Sequence, residues 1–279
     1  MKFFASGQEK ERLLVFTDLD GTLLDHKTYR FDAARPALEA LEEKNIPLIL
    51  CTSKTRAEVE KLRLKIGQTH PFVPENGAAV FIPRGYFSFS FSHDREDAHY
   101  LIIEFGTPYS GLRTGLEKMK RLFPQKIRGF GDLTVEEAAR VCGFSLAEAR
   151  LAKKRRYDEP FILKDKNLEP QIEKAARALG LHLTRGSRFY HLLGANDKGK
   201  AVARLMDIYR QSGDKFISIG LGDSLNDLPM LEAVDHPILV QKPDGSYDPA
   251  VKLPNLSFAP APGPEGFRIS ILRLIDRLA

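Results

Sequence analysis

The segment at residues 13–24, read L-L-V-F-T-D-L-D-G-T-L-L, constrains the fold of this chain more than any other. Its first four residues are apolar, which predicts a strand buried on both faces of a sheet. Asp18 and Asp20 follow directly, and Gly21 then allows a tight turn. Because open α/β sheets bind ligands at the carboxyl ends of their strands, the two carboxylates are candidates for nucleophilic attack, metal binding or proton transfer. The string Asp-x-Asp-Gly is also common in solvated turns, so this segment alone leaves both interpretations open.

Helices and strands alternate before and after the middle of the chain. Asp32 is placed to cap a first helix, and residues 47–52 form a second apolar strand. Thr55 and Glu58 form a capping box that starts the next helix. The later elements are expected to be a helix capped by Asn196, strands at residues 215–221 and 237–240, a Pro/Gly-rich loop at 259–266 and a last helix. This order predicts a parallel sheet with right-handed crossovers.

The middle of the chain lacks this alternation. Phe87, Phe89 and Phe91 alternate with serines, which predicts a half-exposed antiparallel strand. Capping boxes start further helices at Thr134 and Ser145. We therefore expect an α/β fold with a Rossmann-like parallel-sheet core and an inserted domain of mixed α/β structure. The expected division is a core domain at residues 1–84 and 192–279, with residues 1–12 as an N-terminal tail, and the inserted domain at residues 85–191.

Charge and composition narrow the classes of function. The formal net charge of +5 fits either a nucleic-acid partner or a small anionic substrate held in a positive field. The sharpest basic run, at residues 153–156, is expected to be a solvated helix end whose cations complement the helix dipole, so we expect no nucleic-acid partner. Two cysteines, with no long apolar stretch and no signal-peptide pattern, predict a reducing, cytoplasmic setting and no membrane partner. The oligomeric state is not indicated.

Side chains that can carry chemistry follow several of the predicted strands. They are Asp18 and Asp20, Thr52 and Ser53, Asp223 and Asp227, together with Lys198 at the start of a helix. Because parallel strands share one edge for their carboxyl ends, we expect these side chains to converge. Clustered carboxylates suit Mg²⁺, and a lysine beside a hydroxyl can hold phosphoryl oxygens. The set predicts phosphoryl transfer to a carboxylate nucleophile.

Four of these motifs carry a resemblance to a known family. They are Asp18-Leu-Asp-Gly-Thr-Leu, Thr52 after the second strand, Lys198, and Gly222-Asp-Ser-x-Asn-Asp227. Together they resemble the motifs of the haloacid-dehalogenase superfamily. Within it, the chain is similar to the mannosyl-3-phosphoglycerate phosphatases through Thr52-Ser-Lys-Thr55, Pro74-Glu-Asn-Gly77, Gly129-Phe-Gly-Asp-Leu-Thr134, Arg156-Tyr-Asp-Glu159, Arg188-Phe-Tyr-His191 and Ala261-Pro-Gly-Pro-Glu-Gly-Phe267. Many related sugar phosphatases have Thr-Gly-Arg or Thr-Ser-Arg where this chain has Thr52-Ser53-Lys54, and the lysine form fits the mannosylglycerate group.

The resemblance implies a role for each core motif. Asp18 would accept the phosphoryl group, while Asp20 would protonate the leaving oxygen and then activate water. Mg²⁺ would be held by the Asp18 side chain, the Asp20 backbone carbonyl and Asp223. The remaining implied assignments are Thr52, Ser53 and Lys198 on the phosphoryl oxygens, and Asn226 and Asp227 beside the metal ligands.

The inserted domain would be a cap that closes over the rest of the substrate. The implied substrate is mannosyl-3-phosphoglycerate, a small phosphorylated sugar-glycerate. The expected substrate contacts are Arg188, Thr134, Asp132, Glu75 and Asn76, and Arg188 suits a carboxylate. Two alternatives remain: another sugar-phosphate phosphatase of this fold, of the sucrose-phosphate or hexose-phosphate type, and a non-catalytic module that binds sugar phosphates.

Overall fold

The computed structural model describes residues 11–186 and 188–278, and its strands form two separate sheets. The strands are β1 Glu11–Thr17, β2 Leu48–Cys51, β3 Phe72–Val73, β4 Ala79–Pro83, β5 Arg95–Glu96, β6 Tyr100–Glu104, β7 Ile127–Gly129, β8 Glu159–Leu163, β9 His182–Arg185, β10 Tyr190–Leu193, β11 Lys215–Gly222, β12 His236–Gln241 and β13 Ser257–Pro262. The larger sheet has the order β13-β12-β11-β1-β2-β3-β4-β6-β5, and the smaller sheet has the order β7-β8-β10-β9.

The α-helices cover both faces of the larger sheet and pack against the smaller one. They are α1 Arg35–Glu43, α2 Arg56–Ile66, α3 Tyr109–Leu122, α4 Val135–Cys142, α5 Leu146–Ala152, α6 Glu169–Ala178, α7 Lys198–Arg210, α8 Leu228–Glu232 and α9 Gly263–Leu278. Within the described ranges, no helix is both long and apolar enough to cross a membrane.

Strand β1 lies inside the larger sheet and is parallel to both of its neighbours, β2 and β11. Leu13 and Val15 pack into the core that α1 and α9 cover, whereas Leu14 and Phe16 pack into the core on the α7 side. A strand that is apolar throughout and buried on both faces is typical of a parallel sheet between helical layers. The predicted parallel-sheet core is confirmed.

The inserted part of the chain builds its own antiparallel sheet and its own core. Leu112 and Leu116 of α3 and Ile172 of α6 pack with Phe161 of the smaller sheet. Helices α4 and α5 start at the predicted capping boxes, in which Thr134 accepts from the backbone N–H of Glu137 and Ser145 from that of Glu148. The predicted mixed α/β domain is therefore present.

The strand pairing places the change from the larger to the smaller sheet later than the predicted boundary at residue 85. Strand β6 pairs with β4, so residues up to Glu104 belong to the larger sheet, and the first strand of the smaller sheet begins at Ile127. At the other end, β10 extends the smaller sheet to Leu193. Of the predicted tail at residues 1–12, the first ten lie outside the described residues, and Glu11 and Arg12 already belong to β1.

Two expected helix caps are wrong. No side chain caps α1, whose N-cap position is Ala34 and not Asp32. Asp197, and not Asn196, caps α7 by accepting the backbone N–H of Lys200 at 2.8 Å.

Two expected elements are also wrong. Phe87, Phe89 and Phe91 form no strand; their rings gather with each other and with Tyr209 of α7, and Phe87 lies 5.0 Å from the Tyr209 ring. The alternation therefore arises from an aromatic cluster on the core. The Pro/Gly-rich loop expected at 259–266 contains the end of β13, an edge strand where prolines are tolerated, and the start of α9.

Candidate active site

The carboxyl ends of β1 and β11 bring three acidic side chains together around a lysine. The backbone N–H of Asp18 donates to the carbonyl of Leu221 at 2.8 Å, which joins the two strand ends. Lys198, at the first position of α7, donates to Asp18 at 2.7 Å and to Asp227 at 2.6 Å. Because Lys198 and Asp227 are fully buried, this contact network is held away from water.

The turn after β11 is fixed by Asp227. Its second carboxylate oxygen accepts the backbone N–H groups of Asp223 and Ser224 at 3.0 and 3.1 Å. Carboxylate oxygens of Asp18, Asp223 and Asp227 lie within 4.8 Å of one another. A Cβ atom at Gly21, whose φ is +89°, would stand 2.7 Å from an Asp223 oxygen, so glycine is needed there for both its conformation and its size.

Burial and like charge shape the electrostatics of this cluster. Burial, and then the nearby Asp227 carboxylate, raise the pKa of Asp18 to about 7. The same causes, with Asp18 as a further one, raise the pKa of Asp223 well above its ordinary value. Burial opposes the charge on Lys198, but Asp18 and Asp227 outweigh it and raise the pKa of that lysine. Since one lysine faces three carboxylates, the cluster holds surplus negative charge that a divalent cation bound by oxygen ligands would neutralise.

Asp20 stands apart from the three clustered carboxylates. One of its oxygens contacts the Lys54 ammonium at 2.8 Å, and the other is buried with no hydrogen-bond partner among the described residues. Lys54 in turn lies 4.7 Å from the Tyr29 ring and 5.4 Å from the Phe144 ring, and Phe144 belongs to the inserted domain. The sequence indicated Lys54 only as part of a family-like stretch. It did not predict the contact between Lys54 and Asp20.

Thr52 and Ser53 follow β2 at the same edge of the sheet, as predicted. Thr52 is buried; its backbone N–H donates to Val73 and its hydroxyl accepts the N–H of Lys54 at 3.1 Å. Ser53 lines a cavity that opens between the larger sheet and the inserted domain. The cavity walls also include Asp18, Asp20, Lys54, Asn226, Arg155, Arg188 and His191.

The five expected substrate contacts differ in whether they line the cavity. Arg188 lines the cavity and donates to the carbonyl of Cys142 at 2.6 Å. Thr134 and Asp132 do not line it: Thr134 caps α4, and Asp132 forms ion pairs with Arg113 and Lys120. These two side chains are committed to the inserted domain itself, so the geometry does not support them as substrate contacts.

Glu75 and Asn76 do not line the cavity. They link the domain that contains the larger sheet to the inserted domain. The Glu75 carboxylate accepts three consecutive backbone N–H groups, those of residues 156–158 in the inserted domain. Asn76 accepts from Asn226 at 3.0 Å and donates to Asp158 at 3.0 Å. Both residues have positive φ values, 47° and 55°, which are uncommon for residues other than glycine. They position other residues and do not face the cavity.

Sequence reasoning missed two cavity residues. Arg155 falls in the basic run expected to be a solvated helix end, but its side chain is only 8% exposed and pairs with Asp158 at 3.1 Å. His191 is buried and also contacts Asp158, at 2.8 Å. The acidic residue at i+3 from Arg155 does not single it out, because Arg156 has Glu159 at the same spacing.

Comparison with protein families and curated proteins gives consistent results. A family model described as haloacid dehalogenase-like hydrolase matches residues 15–127 and 145–244. A glucosyl-3-phosphoglycerate/mannosyl-3-phosphoglycerate phosphatase of Methanococcoides burtonii is 50% identical over 265 residues, covering 95% of this chain and 97% of that protein. The protein of the same name from Persephonella marina is 44% identical over 95% of this chain and 98% of its own length. A mannosyl-3-phosphoglycerate phosphatase of Pyrococcus horikoshii is 37% identical over 81% of this chain and 90% of its own length.

Solved structures share the fold at low identity. A Thermoplasma acidophilum protein, 0175, superimposes with a TM-score of 0.67 at 19% identity over 95% of this chain and 99% of that one. The sucrose-phosphatase of Synechocystis superimposes with a TM-score of 0.59 at 12% identity over 95% of this chain and 99% of that one. At such identities the likeness concerns the arrangement of elements alone.

Proposed function

This chain belongs to the haloacid dehalogenase-like hydrolases, and from that membership we propose that it is a phosphatase that hydrolyses mannosyl-3-phosphoglycerate to mannosylglycerate and phosphate. The observation that carries the proposal is the buried contact of Lys198 with both Asp18 and Asp227, beside a cavity that Asp18 and Asp20 line. Relatives at 50% and 37% identity are named for this substrate, the first also for the glucosyl compound.

In the proposed reaction, an Asp18 oxygen attacks phosphorus. The new bond from Asp18 to phosphorus forms while the bond from phosphorus to the glycerate oxygen breaks, and the leaving oxygen takes a proton from Asp20. Water then attacks the aspartyl-phosphate and gives a proton to Asp20, which frees phosphate and restores the Asp18 carboxylate and the protonated Asp20. One Asp20 oxygen has no hydrogen-bond partner among the described residues, which supports this role. We assign Thr52, Ser53 and Lys198 to the phosphoryl oxygens. Ser53 lines the cavity, while Thr52 and Lys198 are buried, with Lys198 in contact with Asp18.

The surplus negative charge of the acidic cluster fits a resident Mg²⁺. Asp18, the Asp20 backbone carbonyl and Asp223 would hold the ion, with Asp227 and Asn226 fixing the turn that carries Asp223. When bound, Mg²⁺ supplies positive charge beside the transferring phosphoryl group. The chain's own contribution is to keep Asp18 buried and directed at the cavity, through the Leu221 carbonyl and Lys198.

The test is phosphate release from mannosyl-3-phosphoglycerate, glucosyl-3-phosphoglycerate, sucrose-phosphate and mannose-phosphate, each with and without Mg²⁺. We expect Mg²⁺-dependent turnover with a kcat/KM for the two glycerate-bearing substrates at least about 100-fold above the others. Equal rates on all four would replace the proposal with a general sugar-phosphate phosphatase. Sucrose-phosphate is included because the sequence left an enzyme of the sucrose-phosphate type open as an alternative.

Asp18→Asn separates an enzyme from a binding module. The amide keeps the size of the side chain but cannot act as the nucleophile, so we expect turnover to fall by at least about 1,000-fold. Substrate binding, measured by calorimetry, checks that the variant is folded. A protein whose only role is binding would show no turnover to lose, even as the wild type.

A further inference from the structure

We propose that Arg155 binds the carboxylate of the glycerate unit of the substrate, and that Asp158 positions the Arg155 side chain for this contact. The inference rests on the proposed function, because it assigns one recognition group within the same cavity. It moves carboxylate recognition from Arg188, expected from the sequence, to an arginine that the sequence placed in solvent.

Arg155 has a free edge of its guanidinium group. Its Nη1 donates to Asp158 at 3.1 Å and to the carbonyl of Ser53 at 3.1 Å. Its Nε is buried with no partner among the described residues, and no hydrogen bond reaches Nη2 there. Buried donors are almost always paired in folded proteins, so an unpaired one on a cavity wall indicates a missing acceptor. The Nε–Nη2 edge matches the two oxygens of a carboxylate.

Asp158 positions the Arg155 side chain and does not itself bind the ligand. It is fully buried, and its oxygens accept from Arg155, from Asn76 at 3.0 Å and from the His191 ring at 2.8 Å. All of these partners belong to the protein. The carboxylate therefore fixes the rotamer of Arg155 and offsets the cost of burying its charge.

The position of Arg155 selects the class of anion. Ser53, whose carbonyl Arg155 contacts, directly follows Thr52 and lines the same cavity as Asp18. An anion on the free edge would thus lie beside the phosphoryl site without occupying it. In a 3-phosphoglycerate unit the carboxylate is joined to the phosphoester by a short carbon chain, so one molecule can supply both anions.

Arg188 is less suited to this contact. Arg188 is exposed, and its Nη1 already donates to the carbonyl of Cys142 at 2.6 Å. A charge-assisted hydrogen bond gains strength where water is excluded, which favours the buried Arg155. Arg188 at the cavity mouth is free to contact another part of the substrate.

The first measurement uses the wild-type protein and changes only the ligand. Mannosylglycerate and its amide, mannosylglyceramide, are compared as competitive inhibitors of phosphate release. Because a buried guanidinium loses a charged partner in the amide, we expect the amide to bind at least about 30-fold more weakly. Equal inhibition would overturn the proposal, and this result does not depend on the folding of any variant.

The second measurement uses Arg155→Gln and Asp158→Asn, with Arg156→Gln as the matched control. Arg156 is the neighbouring arginine, and its side chain is exposed. For mannosyl-3-phosphoglycerate, kcat/KM of the first two variants should fall about 100-fold, mainly through KM, while p-nitrophenyl phosphate, which has no carboxylate, should change by less than about 5-fold. The control should match the wild type on both substrates.

Two other outcomes distinguish a failure of the Arg155 proposal from a failure of the proposed function. If Arg155→Gln loses activity equally on both substrates, or if Arg188→Gln alone removes the preference, Arg155 does not bind the carboxylate and this proposal is wrong. If the wild type itself hydrolyses p-nitrophenyl phosphate but shows no preference for glycerate-bearing substrates, the proposed function fails, independently of any variant.

Discussion

At the scale of single residues, two buried lysines hold the two carboxylates that follow β1. Lys198 contacts Asp18 and Lys54 contacts Asp20, at 2.7 and 2.8 Å. Burial opposes the charge of Lys54, but Asp20 and Glu58 outweigh it and raise its pKa, so Lys54 remains a cation. We infer that Lys54 positions Asp20 for proton transfer, and that the Phe144 ring above it brings part of the inserted domain into this contact.

Lys54→Met should lower kcat for mannosyl-3-phosphoglycerate by about 100-fold, because general acid–base catalysis of this size depends on a well-placed carboxyl group. Lys54→Arg retains the cation and should recover most of the loss. Steady-state kinetics measure both, and thermal unfolding checks that each variant is folded. A Lys54→Met variant with the wild-type kcat would show that the ion pair has no part in catalysis.

At the scale of elements, the capping boxes are local devices that the sequence predicts well. Thr55, Thr134 and Ser145 each accept the backbone N–H of a glutamate three residues later, as expected from the spacing. Each motif needs only residues within one helical turn, so no tertiary contact is required to form it. Thr134 was an expected substrate contact because it lies in a family-like stretch, but the structure shows it as a helix cap outside the cavity.

Thr134→Ala should lower the free energy of unfolding by about 1 kcal/mol, the usual cost of losing a helix N-cap. The kcat/KM for mannosyl-3-phosphoglycerate should stay at the wild-type value, since Thr134 is exposed and does not line the cavity. Chemical denaturation and steady-state kinetics give the two numbers. A selective loss of activity on glycerate-bearing substrates would restore Thr134 as a substrate contact.

At the scale of the whole molecule, the two sheets' domains are tied together beside the cavity by buried polar contacts. The Glu75 carboxylate accepts the backbone N–H groups of Arg156, Tyr157 and Asp158, and burial raises its pKa to about 7. Asn76 continues the link from Asn226 to Asp158. The turn after β11 is thereby connected to the loop that carries Arg155.

The free energy of unfolding should depend on pH through His70, which lies just before β3 in the chain. Burial, and then the charge of Arg63, lower the pKa of His70 from 6.5 to about 4. Between these two values the unfolded chain binds a proton that the folded chain does not, so the free energy of unfolding falls as the pH falls through this range. The ring also contacts the Tyr86 hydroxyl at 2.7 Å.

His70→Gln should remove this part of the pH dependence. Between about pH 7.5 and pH 4.5, the wild type should lose up to about 2 kcal/mol more unfolding free energy than the variant, after allowance for the partial exposure of the ring. Urea unfolding at both pH values measures the difference. At the higher pH the variant reports only the loss of the Tyr86 contact. Parallel pH profiles for the two proteins would contradict the prediction.

The sequence by itself determined the features that depend on near neighbours in the chain. The apolar strand before Asp18, the capping boxes and the glycine turn all follow from periodicity and local conformational preference. The parallel order then placed Asp18, Thr52, Lys198, Asp223 and Asp227 at one sheet edge. The core cluster was predictable for that reason, although the roles of its members stay predictions.

Only the tertiary structure decided which charges are buried and what each one faces. Arg155 and the Ser53 carbonyl are 102 residues apart, and no local pattern separates that arginine from the exposed Arg156 beside it. The alternation of phenylalanines near residue 89 is compatible with either a strand or an aromatic cluster. In the structure these rings form a cluster that packs against Tyr209. Burial depends on contacts between distant segments, which is why substrate recognition in the inserted domain could not be assigned from the chain alone.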